Sequence, residues 1–182
     1  MRSALLLAVV FLLLLCLPVA AQESLREWYE QAGPNGEYDK FVELDPAMEY
    51  YGDLSLYDVG NICIMGNGAK ILADPDDQNP ILIGVAACRI DIQNCLFIGG
   101  MGAIYIAVNS SGTIKNNTII GTYNTAIRTY TIGDDNELYI YDNIIIDSYD
   151  GLICNEYEQP SYLGYNTTYN CTRYRYAEFC EG

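Results

Sequence analysis

The sequence predicts an all-β fold, a β-solenoid of about five coils. An eight-residue cassette recurs five times, and its first residue is aliphatic each time. Successive cassettes start 33, 22, 26 and 23 residues apart, a period too short for a pair of helices. The repeat is rich in Val, Ile and Tyr, which favour strands. The cassettes are Val59–Gly66, Ile92–Gly99, Ile114–Gly121, Ile140–Asp147 and Leu163–Asn170.

The columns of the cassette predict a bent coil rather than a flat strand. The first position is aliphatic, and the sixth is apolar in four cassettes of five. A flat strand alternates its faces with a period of two, so two inward positions five residues apart require a bend. Asn occupies the fourth position in three successive cassettes, as Asn117, Asn143 and Asn166. We expect these residues to form the bend in the left-handed conformation and to stack as a hydrogen-bonded ladder. The alternative is that they mark surface turns of a β-sandwich.

The Ile-x-Asn-Asn-x-Ile-Ile-Gly cassette resembles the coils of right-handed parallel β-helix proteins of the pectin-lyase-like superfamily. Residues 36–72, with a Tyr-Gly-Asp-Leu strand and a Gly-Asn-Gly-Ala turn, are similar to the first coils of that group. The resemblance covers residues 36–171 and implies a right-handed parallel β-helix. It implies no single activity, because the superfamily includes lyases, hydrolases, esterases and proteins without known chemistry.

Residues 1–21 are predicted to be a signal peptide that directs export to the extracellular space or periplasm. Arg2 supplies the positive start, an apolar run follows, and Val19-Ala20-Ala21 forms a small-residue cleavage site before Gln22. The alternative is a membrane anchor, but the apolar run is short for a span of about 20 residues. We therefore expect no membrane span once the signal is removed.

The remaining chain is divided into three parts. Residues 22–35 are predicted to be a capping region, in which residues 23–32 form a short amphipathic helix. Residues 36–171 form the parallel β-helix, and residues 172–182 form a C-terminal cap. An open solenoid exposes unpaired backbone at each end, so we expect Trp28 of the helix to pack on the first coil.

Charge and composition exclude several functional classes. The chain carries a formal net charge of −15, and removal of residues 1–21 takes away only Arg2, leaving −16. Such a charge disfavours nucleic acid and anionic membranes as partners. The chain has no histidine, so histidine-based acid–base chemistry and histidine-ligated metals are excluded. The catalytic segments of polygalacturonases, pectate lyases and pectin methylesterases are also missing; Arg89 with Asp91 comes nearest to the esterase set, with one aspartate lacking.

Six cysteines follow the predicted signal peptide, an even number that favours disulfides in an exported protein. Cys171 and Cys180 lie close together in the tail and are the first pair we would assign. For Cys63 and Cys95 the alternative is a buried free thiol that acts as a small hydrophobic side chain.

A second strand after each cassette predicts a ligand-binding surface. Aligning residues 69–72, 104–107, 127–130 and 152–155 places Lys70, Tyr105 and Arg128 in one outward column, with Tyr130 beside it. Tyr can stack on a sugar ring, while Lys and Arg can donate hydrogen bonds to hydroxyl or carboxylate groups. No catalytic residue is assigned; if the protein is an enzyme, Arg128 or Lys70 would be the base of a lyase.

No cofactor is expected, with Ca²⁺ as the one alternative. Carboxylates grouped on loops can hold Ca²⁺ through their oxygens. Neither acidic loop has the spacing of a known calcium loop, and solvated turns are the simpler interpretation. The candidate ligands are Asp74, Asp76, Asp77, Asp134, Asp135 and Glu137.

These observations favour an exported, non-catalytic β-helix protein that is structural or binds carbohydrates or extracellular proteins. The 17 tyrosines are too many for the core alone, and exposed tyrosine suits contacts with sugar rings or protein partners. The alternative is a small lyase-like enzyme that acts on a uronate-containing glycan.

Overall fold

The computed structural model describes residues 22–77, 80–130, 137–154 and 160–172, which form a parallel β-solenoid of about six turns. Helix α1 spans Leu25–Gln31. The seven-stranded sheet contains β1 (Gln22–Ser24), β3 (Glu49–Tyr51), β6 (Lys70–Leu72), β9 (Leu96–Ile98), β12 (Thr118–Ile120), β15 (Ile144–Ile146) and β18 (Thr167–Tyr169). The six-stranded sheet contains β2 (Lys40–Glu43), β5 (Asn61–Met65), β8 (Arg89–Gln93), β11 (Ser111–Lys115), β14 (Leu138–Tyr141) and β17 (Tyr162–Gly164). The five-stranded sheet contains β4 (Leu54–Tyr57), β7 (Ile81–Ala86), β10 (Gly102–Ala107), β13 (Thr125–Thr129) and β16 (Asp150–Ile153).

Each complete coil contributes one strand to each sheet, and every strand pairing within the described residues is parallel. The predicted all-β solenoid is therefore confirmed. About six turns replace the predicted five, because residues 40–57 form a complete coil that lacks the cassette.

Inward-facing columns build a continuous core between the three sheets. The first cassette position pairs from coil to coil as Ile92, Ile114 and Ile140, all fully buried. The sixth position does the same with Phe97, Ile119 and Ile145. Because similar side chains occupy the same position on successive coils, every coil can bury them while keeping the same cross-section.

The first cassette was predicted in the wrong register. Ile64, and not Val59, pairs with Ile92, and Lys70 pairs with Leu96. The turn at residues 66–69 is two residues longer than the Asn94–Cys95 turn of the next coil, which destroys the eight-residue spacing there. Residues 59–66 therefore resemble a cassette without being one. Lys70 occupies the place that Leu96, the fifth cassette residue, has on the next coil.

The bend of each coil is made by the residue before the predicted one. Asn94, Asn116, Asp142 and Tyr165, in the third cassette position, have φ between 54° and 57°. Asn and Asp tolerate this left-handed conformation better than other residues with a side chain. The bend turns the following residue inward, so Asn117 and Asn143 project into the solenoid and are almost completely buried.

The predicted asparagine ladder is confirmed. Asn117 Nδ2 donates to Asn143 Oδ1 at 3.1 Å, and Asn143 Nδ2 donates to Asn166 Oδ1 at 2.9 Å. The same oxygens accept the backbone N–H groups of Asn117 and Asn143, each at 3.1 Å. Asn117 Oδ1 accepts the N–H of Cys95 at 3.0 Å, which carries the ladder one coil further. Each side chain thus satisfies backbone donors that the bend would leave buried and unpaired.

Helix α1 covers the N-terminal end of the stack, at the position predicted for a capping helix. Ser24 caps it by accepting the N–H of Glu27, and Leu25 is fully buried. The Trp28 ring meets the ring of Tyr50 edge to face at 5.6 Å, and its Nε1 donates to the carbonyl of Glu43 at 2.9 Å. No helix in the described part of the chain is long and apolar enough to cross a membrane. The predicted signal peptide and residues 173–182 of the predicted C-terminal cap lie outside the described residues.

The predicted disulfides are not found: no two of the five described cysteines are joined. Cys63 and Cys95 are buried, at 1% and 2% exposed, as the free-thiol alternative predicts. Cys95 occupies the ladder column one coil before Asn117 and projects into the core, where no second cysteine bonds to it. Cys180, the predicted partner of Cys171, lies outside the described residues.

We expect Asn143→Ala to lower the free energy of unfolding by about 2–3 kcal/mol, because it leaves buried backbone groups without partners. Asn109→Ala, in an exposed turn, should cost less, about 1 kcal/mol, because Ala tolerates the φ of 55° at this residue less well than Asn does. Urea denaturation of both variants checks this difference, and equal midpoints would contradict the role of the ladder.

Candidate functional site

The predicted column of Lys70, Tyr105 and Arg128 is not formed. Lys70 begins β6 of the seven-stranded sheet, whereas Tyr105 and Arg128 lie on the five-stranded sheet. Lys70 Nζ forms an ion pair with Glu49 Oε1 at 2.8 Å on the neighbouring coil. The error follows from the register of the first cassette, because the true partner of Tyr105 on the preceding coil is Gly84.

The remaining members of the column do meet. Tyr105 pairs with Arg128 on the next coil. Tyr130 directly follows β13, and its N–H donates to the carbonyl of Ile106. The Arg128 guanidinium lies 4.5 Å from the centroid of the Tyr130 ring, a stabilising cation–π contact. The rings of Tyr105 and Tyr130 meet edge to face with 6.2 Å between centroids.

Tyr105 is not the exposed platform that the sequence predicts. Its side chain is only 8% exposed, and a Cβ atom at residue 102 would overlap its ring. The ring therefore lies down along the sheet over Gly102. Burial raises the pKa of Tyr105, and Tyr130 raises it further, while the Arg128 charge lowers it.

A shallow depression of about 310 Å³ lies beside these rings on the outer face of the five-stranded sheet. Its floor is made by small residues of adjacent coils, with Ser55 paired to Gly84 and Ala86 paired to Ala107. Tyr57 forms the far wall and is 73% exposed. We call this depression, together with Arg128, the tyrosine surface; its lining includes Ser55, Tyr57, Gly84, Ala86, Tyr105, Ala107 and Tyr130.

Sequence reasoning missed Tyr57 because the first coil lacks the cassette. The available signal is strand alternation: Leu54 and Leu56 face inward and pair with Ile83 and Val85. Aligning residues 54–57 with 83–86 places Tyr57 in the same outward column as Tyr130.

A second polar cluster lies on the outer face of the six-stranded sheet around Asp91, which is 7% exposed. Tyr38 donates its hydroxyl hydrogen to Asp91 Oδ2 at 2.7 Å, and Arg89 lies 3.5 Å from the same oxygen. Arg89 also pairs with Glu37 at 2.6 Å. Asp91 Oδ1 is buried and has no hydrogen-bond partner among the described residues. The cluster holds the segment that contains Glu37 and Tyr38 against the sheet.

The titration of this cluster argues against nucleophilic chemistry. Burial raises the pKa of the Cys63 thiol to about 11, and the neighbouring Asp91 charge adds to the shift. Burial, and then the hydrogen bond to Asp91, raises the pKa of Tyr38. Cys63 and Tyr38 therefore keep their protons at neutral pH, so neither is poised as a thiolate nucleophile or a phenolate base.

The described acidic residues do not form a metal cage. Asp74, Asp76 and Asp77 share one turn, in which Asp74 Oδ1 accepts the N–H of Asp76 at 2.9 Å. Glu137 accepts a hydrogen bond from the Tyr139 hydroxyl at 3.1 Å. Within the described ranges, no group of three or more Cys, Asp or Glu side chains is placed to hold a metal ion. Asp134 and Asp135 lie outside those ranges.

Comparison with known proteins finds no matching family model, no similar curated protein and no similar solved structure.

We expect the Tyr38→Phe variant to lose less of its free energy of unfolding at alkaline pH than the wild type does. Because the folded protein raises the pKa of Tyr38 above 10.0, this tyrosine contributes stability below that pH, and the contribution is lost as the pH rises further. Removing the hydroxyl should also cost about 1 kcal/mol at neutral pH. Urea denaturation between about pH 8 and about pH 11 measures both effects. The control is Tyr165→Phe, at a residue that is 80% exposed; matching curves for the two variants would contradict the assignment.

Proposed function

We propose that the protein is an exported, non-catalytic β-solenoid that binds glycans through the tyrosine surface. The observation that carries the proposal is the depression itself, in which Tyr57 and Tyr130 stand at opposite sides of a floor of small residues. Tyr57 and Tyr130 belong to coils three apart, so their strands are separated by about 14 Å. This opening suits a small number of sugar rings.

The chemistry of the tyrosine surface favours a neutral or mildly acidic sugar. Aromatic rings offer an apolar face for the C–H groups of a sugar, and Arg128 can donate hydrogen bonds to hydroxyl or carboxylate oxygens. The net charge of −15 opposes the approach of a polyanion.

Gly84 gives the floor its depth without being required by the backbone. Its φ is not positive, and a Cβ atom there would find no neighbour closer than 3.9 Å. A Cβ atom therefore fits without strain, and a larger side chain would extend from it into the open depression. This separates binding from stability in an experiment.

Export and family are part of the same proposal. The signal peptide at residues 1–21 would deliver the protein outside the cell or to the periplasm, where glycans are available partners. The parallel coils support membership of the pectin-lyase-like group of right-handed β-helices at the level of architecture. Extracellular proteins are the second class of partner for exposed tyrosines.

The alternative, a small lyase acting on a uronate-containing glycan, has less support. Lys70 and Arg128 lie on different sheets, so the two cations cannot serve one reaction centre. Arg128 is stacked on Tyr130 and forms no salt bridge within the described residues. The lyase alternative thus depends on Arg128 alone.

We expect Tyr57→Ala and Tyr130→Ala each to weaken glycan binding by about tenfold or more, because each removes one aromatic wall. Gly84→Leu should abolish binding while leaving the melting temperature close to that of the wild type. A panel of neutral and uronate-containing oligosaccharides, read by calorimetry, provides the measurement.

The matched control is Tyr165→Ala, which removes an 80% exposed tyrosine from the bend after β17, outside the tyrosine surface. Binding that survives Tyr57→Ala and Gly84→Leu would place the glycan site elsewhere and refute the proposal.

The Arg128→Gln variant distinguishes a glycan-binding protein from a lyase. If the protein only binds, the variant should lose affinity for uronate-containing oligosaccharides more than for neutral ones, because one charge-assisted contact is lost. If it is a lyase, the wild type should generate unsaturated products that absorb in the ultraviolet, and Arg128→Gln should abolish them. We expect no such products from the wild type.

A further inference from the structure

Four Asn-x-Ser/Thr motifs occur in the chain, and in an exported protein this motif is the acceptor for N-linked glycans. None of them has proline at the middle position, which would prevent the modification. The four asparagines are Asn109, Asn116, Asn166 and Asn170. Because a linked glycan is bulky and must lie at the surface, the surroundings of each asparagine decide which of them can carry one.

In two of the motifs, the amide nitrogen that would carry the glycan already has a partner. Asn166 is part of the ladder: its Nδ2 donates to the carbonyl of Ile140 at 2.9 Å, and its Oδ1 accepts a hydrogen bond from Asn143. Asn170 Nδ2 donates to a carboxylate oxygen of Asp147. A sugar on either nitrogen would crowd this partner, so both asparagines are poor acceptors in this fold.

Asn109 and Asn116, by contrast, have free amides at two corners of one coil. Asn109 lies between β10 and β11, and Asn116 lies between β11 and β12. Both side chains are exposed, and neither amide forms a hydrogen bond within the described part of the chain. Each corner turns the following residue inward, since Ser110 and Asn117 are almost completely buried. The asparagine itself therefore projects into solvent, where a glycan can be attached.

The third residue of each of these two motifs carries a hydroxyl that the fold does not use. Ser111 and Thr118 begin β11 and β12, and both are partly exposed. Neither hydroxyl has a hydrogen-bond partner among the described residues. On the neighbouring coils the place of Thr118 is taken by Leu96 and Ile144, so the strand itself does not require a hydroxyl there. The glycosylation motif does require one.

Asn116 also has open space beside it. An open depression of about 680 Å³ adjoins its corner, and Leu96, Thr118 and Ile120 contribute to its lining. The first sugars of a glycan on Asn116 therefore have room next to the coil.

We propose that Asn109 and Asn116 are N-glycosylation sites that receive an oligosaccharide from a lipid diphosphate donor during export. In this transfer the asparagine Nδ2 bonds to C1 of the first sugar and loses a proton, while the bond from C1 to the diphosphate oxygen breaks. The lipid diphosphate leaves with the electron pair of that bond. Glycosylation at these sites rests on the proposed export of the protein, and it is independent of glycan binding by the tyrosine surface.

The test is to export the full chain from a eukaryotic host that N-glycosylates its secreted proteins, and to map the attached sugars. Peptide N-glycosidase in heavy-oxygen water converts each glycosylated asparagine to a labelled aspartate, which peptide mass spectrometry then locates. We expect an N-glycan at Asn109 and another at Asn116, and none at Asn166 or Asn170.

Substitution of the two hydroxyls distinguishes glycans that depend on the motif from any other attached sugar. Thr118→Ala should remove the glycan from Asn116 alone, and Thr118→Ser should keep it. Ser111→Ala should remove the glycan from Asn109 alone. The matched control is Thr113→Ala, which changes a partly exposed threonine of β11 outside the motifs and should leave both glycans in place.

Three outcomes would overturn the proposal: an exported chain without a glycan at Asn109 or at Asn116, a glycan on Asn166, or sugars that persist at both corners after Ser111→Ala and Thr118→Ala. A version in which the host's own leader replaces residues 1–21 distinguishes these failures from a failure of export. If only that version is exported and glycosylated, the predicted signal peptide is wrong, whereas glycosylation of the two asparagines is supported. If it is exported without sugar, glycosylation is refuted and the proposed export is unaffected.

Discussion

The fold depends on how each coil turns its corner. A left-handed residue makes the bend between the six-stranded and seven-stranded sheets, and it forces backbone donors into the interior. The carboxamide of the next coil accepts those donors, so the side chain of one repeat completes the hydrogen bonding of another. Parallel pairing alone would leave these groups unpaired at considerable cost. The corner and the ladder are therefore one solution to one constraint.

Much of the fold could be predicted because Ile92, Ile114 and Ile140 recur once per coil. The interval between them in the sequence is therefore the length of a coil. The outer surface was harder. The two extra residues at 66–69 moved Lys70 onto another sheet, and period alone cannot detect an insertion whose flanks still resemble the repeat. The orientation of Tyr105 also escaped prediction, because the space over Gly102 that accepts its ring depends on the neighbouring coil. The left-handed residue was predicted one position too late because Asn recurs at the fourth position of the cassette, whereas the third position, which forms the bend, varies between Asn, Asp and Tyr.

The three sheets share one interior and carry three different exteriors. The six-stranded sheet holds the Tyr38–Asp91 cluster, which secures an N-terminal segment. The five-stranded sheet carries the tyrosine surface, and strands β9, β12 and β15 of the seven-stranded sheet direct uncharged, mostly aliphatic side chains outward. Outward residues are free to differ because the inward columns and the ladder already determine the coil. A solenoid can thus hold separate surfaces on one small domain, each with its own chemistry.

The ladder also has a direction. Each carboxamide oxygen accepts from the coil that precedes it in the sequence, and the column changes from Asn to Cys95 and then to Ala69 towards the N-terminus. The carboxamide ladder therefore joins the coils near the C-terminal end, and it stops at Cys95 before it reaches the coils next to the helix. When a coil near the C-terminal end opens, the coil before it loses the carboxamide oxygen that accepts its hydrogen bonds. Local opening at that end therefore weakens the next coil towards the N-terminus. Opening at the other end breaks no such bond, and the molecule is expected to come apart differently from its two ends.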